Sequence, residues 1–294
     1  MKHLFITIFA LLLISLTIHS ENKKKGYNIL WVRPFKVGQV YFISQNLKIK
    51  YQTSTEMNKS EIDKKTIFRD IYYEAKVTVI SISDKNLATC ENHSILSFYE
   101  LIDGKKITQL EKGQSVLVKL AEKGKEILVD NKEPDKNLFI TMNQIIEMNA
   151  GGPTYNETMG ECKNVLPGAE WDVLKKNIIE SYKAVNLIIN PEAIKGKCTF
   201  EKVEKDRLYF SGIFTIDPFR GNGAKDRKMI SNKYTYQLFE IAPSDETKLP
   251  IKVSKVTKHK YEEIENVKSD LIFTTTVDKE HTVKYFENEK EMSE

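Results

Sequence analysis

The residues closest to a catalytic pair are Cys90 and His93, a thiol and an imidazole three positions apart. A thiol nucleophile needs a base within hydrogen-bond reach, so the two side chains would have to meet in space. Both lie in a stretch that alternates as a strand does, and side chains three apart on a strand point to opposite faces. The spacing therefore argues against a nucleophilic pair.

Metal and hydrolase motifs are missing from the sequence. After the first twenty residues the only histidines are His93, His259 and His281, and they are widely separated. Zinc sites need closely spaced ligands such as H-E-x-x-H or paired C-x-x-C, and serine hydrolases often carry G-x-S-x-G. We therefore expect no metal, no cofactor and no catalytic residue. We also expect no cleft in which acids converge on these three histidines.

The three cysteines allow at most one disulfide. If the chain is exported, a disulfide can persist, and Cys162–Cys198 is the most plausible pair. Such a bond would tie the middle of the chain to its second half. The alternative, in which all three thiols stay unpaired, remains open because pairing cannot be deduced from sequence.

The charge balance argues against a nucleic-acid partner. The chain has 294 residues, with 45 Lys+Arg against 41 Asp+Glu, so its formal net charge is only +4. Five of the 45 basic residues are arginine, the residue that best recognises phosphates and bases in bidentate fashion. The composition is that of an ordinary globular protein.

The N-terminus predicts export. Residues 1–20 combine a basic start, an apolar run and a small residue, Ser20, at a plausible cleavage point. This is typical of a secretory signal peptide, and the run is too short for a membrane-spanning helix. A lipoprotein needs a cysteine just after the run, but the first is Cys90. We expect a periplasmic or extracellular protein that is not a lipoprotein and has no transmembrane segment after cleavage.

Strand patterning dominates the first half, the N-terminal unit 21–150. Alternation over 71–82 places Tyr73, Ala75, Val77 and Val79 on one face, and Asp103-Gly104 signals a hairpin turn. The polar residues 52–66 predict a loop. After Asp135, a suitable N-cap, apolar residues recur at helical spacing and predict one helix over 136–149.

A second β-rich unit is predicted over 167–290, after a linker at 151–166. Residues 77–87 align without gaps on 198–208, which indicates an internal duplication. Residues 171–184 fit either a helix or a strand. The predicted fold class is therefore mainly β, with two related antiparallel units, as curved sheets or half-barrels, and one short helix between them.

Two segments resemble a known family. Residues 110–118 and 123–129 form a "G-x-x-v-x-v … G-k-v-l" hairpin before a helix, and Gly168-x-x-Trp171 opens the second half. This pattern is similar to that of a family of exported bacterial β-rich proteins of unknown function. The family's late turn reads Asp245 to Pro250 here, with Lys248 where glycine is expected. The resemblance implies export and a β-rich fold but no activity.

Three functions are compatible with these features. The first is a non-enzymatic binding module in the cell envelope, whose sheets present an apolar face to a lipid or other hydrophobic ligand. The alternative is an envelope or surface protein that interacts with another protein, and the weaker alternative is an envelope hydrolase. An enclosed apolar cavity would favour the first.

Overall fold

The computed structural model describes residues 26–57, 60–122, 124–148, 153–183, 189–217, 228–264 and 271–293. The predicted signal peptide lies outside the described residues. So do residues 184–188, which include the last position of the ambiguous stretch 171–184.

The described chain is mainly antiparallel β-structure, which confirms the predicted class. Fourteen strands occur in the described ranges: β1 Tyr27–Ile29, β2 Val40–Met57, β3 Ser60–Ile82, β4 Ala88–Ile102, β5 Lys105–Leu110, β6 Ser115–Ala121, β7 Gly124–Val129, β8 Cys162–Val165, β9 Glu170–Asp172, β10 Ile194–Glu204, β11 Arg207–Ile216, β12 Lys228–Pro243, β13 Lys252–Ile264 and β14 Leu271–Phe286. Twelve of them form one sheet, and β1 pairs with β8 in a small second sheet.

The large sheet contains strands from both halves of the chain. Its order is β7-β6-β4-β3-β2-β14-β13-β12-β11-β10-β9, with β5 paired to β4. The last strand, β14, pairs with the first long strand, β2, from Leu271 opposite Met57 to Phe286 opposite Phe42. The halves therefore meet in the middle of one open sheet. Two related units are not shown, and the duplication stays a prediction.

The predicted loop at 52–66 is wrong. Strand β2 continues to Met57 and β3 begins at Ser60, so the two strands run far past the buried part of the sheet. Residues 60–66 are exposed, and all of them except Ile62 are polar. Alternation carries little strand signal where neither face is buried, because polar side chains then occupy positions on both faces.

Short turns and one helix follow the predictions. Asp103 and Gly104 have φ values of 47° and 81°, the left-handed conformation of a tight hairpin turn between β4 and β5. Helix α1 spans Lys136–Ile145, and the carboxylate of Asp135 accepts the first backbone N–H groups. The helix thus ends four residues before the predicted bound.

The interval predicted as a linker contains regular structure. Helix α2 spans Tyr155–Met159 and is followed by β8. Residues 171–184, which fit either type, contain the end of β9 and then α3, Lys175–Lys183. A 3₁₀ turn at Pro191–Ala193 and a terminal helix, α4 (Glu289–Ser293), complete the described elements. No described helix has the length and apolar character needed to cross a membrane.

Two buried cores lie along the sheet. The first is formed by β2, β3, β4, β6 and α1, where Tyr73, Ala75 and Val77 are 0% exposed, so their predicted common face is confirmed. The second lies where β1, α2 and α3 cover β10 to β12. Tyr285 packs against both cores. The space between the two cores is therefore bounded by both halves of the chain.

Candidate functional site

A cavity of about 540 Å³ lies between the two cores. Its size falls within the roughly 300–1,000 Å³ of small-molecule sites. Residues from β2, β4 and the end of α1 face it from one side, and residues from α2, α3 and β11 to β14 face it from the other. Because the joined sheet brings these segments together, neither half alone can form the cavity.

Most of the lining is aromatic or aliphatic. Nine aromatic side chains contribute: Trp31, Phe35, Tyr41, Tyr155, Tyr182, Phe214, Tyr234, Tyr236 and Tyr285. Several contact one another, and the rings of Phe214 and Tyr236 stack with centroids 5.1 Å apart. Such a surface offers an apolar ligand both dispersion contacts and area removed from water.

The first polar group, which we call the Glu91 cluster, comprises Tyr41, Glu91 and His93 of the lining and also Tyr73, whose hydroxyl contacts His93. Tyr41 donates its hydroxyl proton to Glu91 Oε1 at 2.8 Å. His93 Nε2 lies 3.2 Å from Glu91 Oε2, and its Nδ1 lies 2.8 Å from the Tyr73 hydroxyl. A carboxylate only accepts, so Nε2 donates to Glu91, while the hydrogen bond between Nδ1 and the Tyr73 hydroxyl can run in either direction. Each oxygen of Glu91 is thereby satisfied.

Burial defines the electrostatics of the Glu91 cluster. Glu91 is 5% exposed and His93 is 1% exposed. Among the described lysines and arginines, none lies within ion-pair distance of Glu91. Burial raises the pKa of both tyrosines well above the usual value, and the negative charge of Glu91 raises it further. The cluster is thus a buried, hydrogen-bonded acceptor at the cavity wall.

The second polar group, the Lys255 cluster, comprises Gln45, Glu147, Lys255 and His281. The Lys255 ammonium contacts the Glu147 carboxylate and lies 4.8 Å from the ring centroid of Tyr155. His281 Nδ1 is 3.2 Å from Glu147, and its Nε2 is 2.9 Å from the side-chain oxygen of Gln45. Glu147 has 43% of its side chain exposed, so this cluster reaches solvent at one end.

Two bases of the Lys255 cluster are desolvated. Burial lowers the pKa of Lys255 to about 7, although contact with the Glu147 carboxylate favours the ammonium. Burial, together with the charge of Lys255, lowers the pKa of His281 to about 3. At neutral pH His281 is therefore uncharged, and Lys255 is divided between amine and ammonium.

Two further cations line the cavity. Lys125 donates to the carbonyl oxygens of Asn143, at 2.9 Å, and of Ile146, and so caps the end of α1. Burial lowers its pKa to about 8. Arg33 is 2% exposed and donates to the carbonyl oxygens of Pro243 and Asp245. Both cations hold backbone in place around the cavity.

A buried acid lies near Arg33. Glu240 is 0% exposed, and within the described structure neither carboxyl oxygen has a hydrogen-bond partner. Burial raises the pKa of Glu240 well above its usual value, and the charge of Arg33 offsets this only in part. Burial therefore favours the protonated form of Glu240.

The expectation about the histidines is wrong for two of them. His93 and His281 each contact a glutamate at the cavity wall, whereas His259 lies beside the ring of Tyr234, 6.0 Å between centroids. The alternation of Glu91, His93 and Ile95 on the buried face of β4 is a sequence signal that could have revealed the first contact. Nothing in the sequence points to the second, because Glu147 and His281 are 134 positions apart.

The cysteines are free thiols in the structure. Cys198 is buried among Met159, Trp31 and Gly212, where the missing Cβ of the glycine leaves room for the packing. Burial raises the pKa of Cys198 to about 12, with a further contribution from Cys162. The Cys162–Cys198 disulfide stays a prediction. No hydrogen bond joins the described side chains of Cys90 and His93.

The described residues hold no group of three or more His, Cys, Asp or Glu that suits a metal ion. The lining contains two aliphatic hydroxyls, and each donates a hydrogen bond to a backbone carbonyl four positions earlier in the chain. Thr158 donates to the Thr154 carbonyl at 3.1 Å and Ser181 to the Asn177 carbonyl at 3.0 Å. Neither hydroxyl is hydrogen-bonded to His93 or Glu91.

No protein-family model and no curated protein matches the chain. Among solved structures, one described as "lipid-protein interactions in lipovitellin" is similar over 85% of this chain and 25% of that chain. The sequences are 9% identical and the TM-score is 0.36. The chain thus spans about a quarter of that protein's chain, and similarity at this level does not establish a shared fold.

Proposed function

We propose that this protein is an exported, non-enzymatic binding module for a lipid or other hydrophobic ligand of the cell envelope. The observation that carries the proposal is the cavity of about 540 Å³, lined by nine aromatic side chains and bounded by both halves of the sheet. The Lys255 cluster of its wall, which reaches solvent at one end, offers a point for a ligand's polar head. An apolar body with one polar end matches this surface.

Native mass spectrometry of the protein purified from its own host tests the proposal. We expect a stoichiometric adduct whose mass corresponds to a lipid or other small hydrophobic molecule. A clean apo mass, together with failure to bind a fluorescent fatty acid, would contradict it. A stable complex with another envelope protein and no small ligand would favour the interaction hypothesis instead.

A variant that fills the cavity makes the test specific. Ser181 faces the cavity from α3, whereas Lys176 on the same helix is exposed to solvent. We expect Ser181→Trp to weaken binding of the fatty acid at least about ten-fold, roughly 1.4 kcal/mol. Lys176→Trp is the matched control and should bind as the parent does. Equal binding by both variants would place the ligand elsewhere.

A further inference from the structure

The two lysines that line the cavity, Lys125 and Lys255, differ in the groups that their amines contact. Lys125 donates to two backbone carbonyl oxygens at the end of α1. Lys255 contacts only side chains, the carboxylate of Glu147 and the ring face of Tyr155. Lys255 is 9% exposed and is on the lining of the cavity. Its amine is therefore the one lysine amine among the described lining residues that is not committed to backbone.

The surroundings of Lys255 suit a condensation reaction. A desolvated lysine keeps a large share of neutral amine, and this is how lysines become nucleophiles toward carbonyl compounds. Burial lowers the pKa of Lys255 to about 7, so the neutral amine is abundant at neutral pH. The Glu147 carboxylate beside it can accept the proton and pass it to solvent, because 43% of that side chain is exposed.

We propose that Lys255 binds a hydrophobic aldehyde covalently, as a Schiff base whose apolar body occupies the cavity. The inference rests on the proposed function, because it assumes that the cavity accepts an apolar ligand. The amine nitrogen attacks the carbonyl carbon, and the carbonyl oxygen leaves as water after taking up two protons, one from the amine nitrogen and one returned by Glu147 or solvent. A C=N bond replaces the C=O bond, with no oxidant or reductant. The protonated imine keeps the positive charge beside Glu147, which serves as its counterion.

The wall around Lys255 supports an aldehyde with a single polar end. On β13 the neighbouring cavity residue is Val253, and Val283 faces the cavity from β14. Glu147 also contacts His281, which is uncharged at neutral pH. The Glu147 carboxylate therefore balances a single positive charge, that of the imine. A polar aldehyde would leave its hydroxyl groups unpaired against this surface.

Reductive trapping tests the inference. The full chain is incubated at pH 7 with decanal and sodium cyanoborohydride, and the alkylated lysines are located by peptide mass spectrometry. We expect Lys255 to react at least about ten-fold faster than exposed Lys258 on the same strand, because burial keeps a larger share of the Lys255 amine neutral and the cavity holds the apolar aldehyde beside it. Glycolaldehyde, a small polar aldehyde, should not show this preference.

Variants and a parallel binding assay decide the outcome. Lys255→Met should lose the preferred adduct while Lys258→Met keeps it. Displacement of a fluorescent fatty acid by decanol, which cannot form an imine, is measured on the same protein. Displacement by decanol without preferred labelling of Lys255 would overturn the inference and leave the proposed function standing. Absence of both displacement and preferred labelling would overturn both.

Discussion

The Glu91 cluster and the Lys255 cluster face the same cavity but differ in how they are built. The Glu91 cluster lies on three neighbouring strands, β2, β3 and β4, and its members are almost fully buried. The Lys255 cluster joins β13, β14 and β2 to the segment after α1, and its carboxylate is 43% exposed. The Glu91 cluster is therefore almost inaccessible to water. In the Lys255 cluster, water can replace a hydrogen-bond partner that is lost.

This difference in burial decides whether each cluster contributes to the stability of the fold or to ligand binding. A buried polar group that loses its partner bears the full cost of desolvation, whereas a group near the surface becomes hydrated again. The Glu91 cluster should therefore act as part of the fold. The Lys255 cluster should tolerate change in its partners, as a ligand site must.

The largest expected effect is from breaking the Glu91 cluster. His93→Leu leaves the Tyr73 hydroxyl and one oxygen of Glu91 buried without partners. We expect the free energy of unfolding to fall by about 2–4 kcal/mol, measured by urea denaturation. Adding Tyr73→Phe should restore part of the loss, because it removes one orphaned group. A His93→Leu variant as stable as the parent would show that the cluster does not hold the fold.

The corresponding change in the Lys255 cluster should be smaller. Lys255→Met removes a buried ammonium and leaves Glu147 free to be hydrated. We expect the free energy of unfolding at pH 7 to change by less than about 1 kcal/mol, in either direction. A loss comparable to that of His93→Leu would remove the distinction between the two clusters.

Comparing the stability of the parent and of Lys255→Met at several pH values measures the effect of the Lys255 titration on folding. Its folded pKa of about 7 lies below its usual value of 10.5, so between these pH values the unfolded chain binds more protons. Lys255 therefore makes the protein more stable as the pH rises from about 7 toward 10.5, by roughly 1 kcal/mol per pH unit. The stability of the parent minus that of Lys255→Met should rise over pH 7–9 in urea titrations. Glu240 titrates in the opposite sense, but it cancels in this difference.

An exposed ion pair should contribute less to the free energy of unfolding than either cavity cluster. Lys64 and Glu61 lie 3.4 Å apart on the part of β3 that extends past the core, each about half exposed. Lys64→Ala should change the free energy of unfolding by less than about 0.5 kcal/mol, because water and salt screen such pairs. Thermal and urea unfolding of this variant should overlay those of the parent. A larger effect would mean that exposure is not what separates the two cavity clusters.

Local features of the fold were predictable where a single face or turn carries the signal. The buried face of Tyr73, Ala75 and Val77, the Asp103-Gly104 turn and the Asp135 cap all follow from neighbouring residues. The strands at 52–66 were missed because most of their residues on both faces are polar and neither face is buried. Of the site, only the alternation of Glu91 and His93 on β4 was readable, since it lies within one strand.

The sequence by itself determined the strand-rich class, the tight turns, helix α1 and the absence of strong charge, because each depends on residues close together in the chain. Tertiary structure decided that β14 pairs with β2, and this pairing joins the two halves into one open sheet that borders the cavity. It also decided that Glu147, Lys255 and His281 meet. Contacts across more than a hundred positions depend on which strands pair, and no local periodicity encodes that choice.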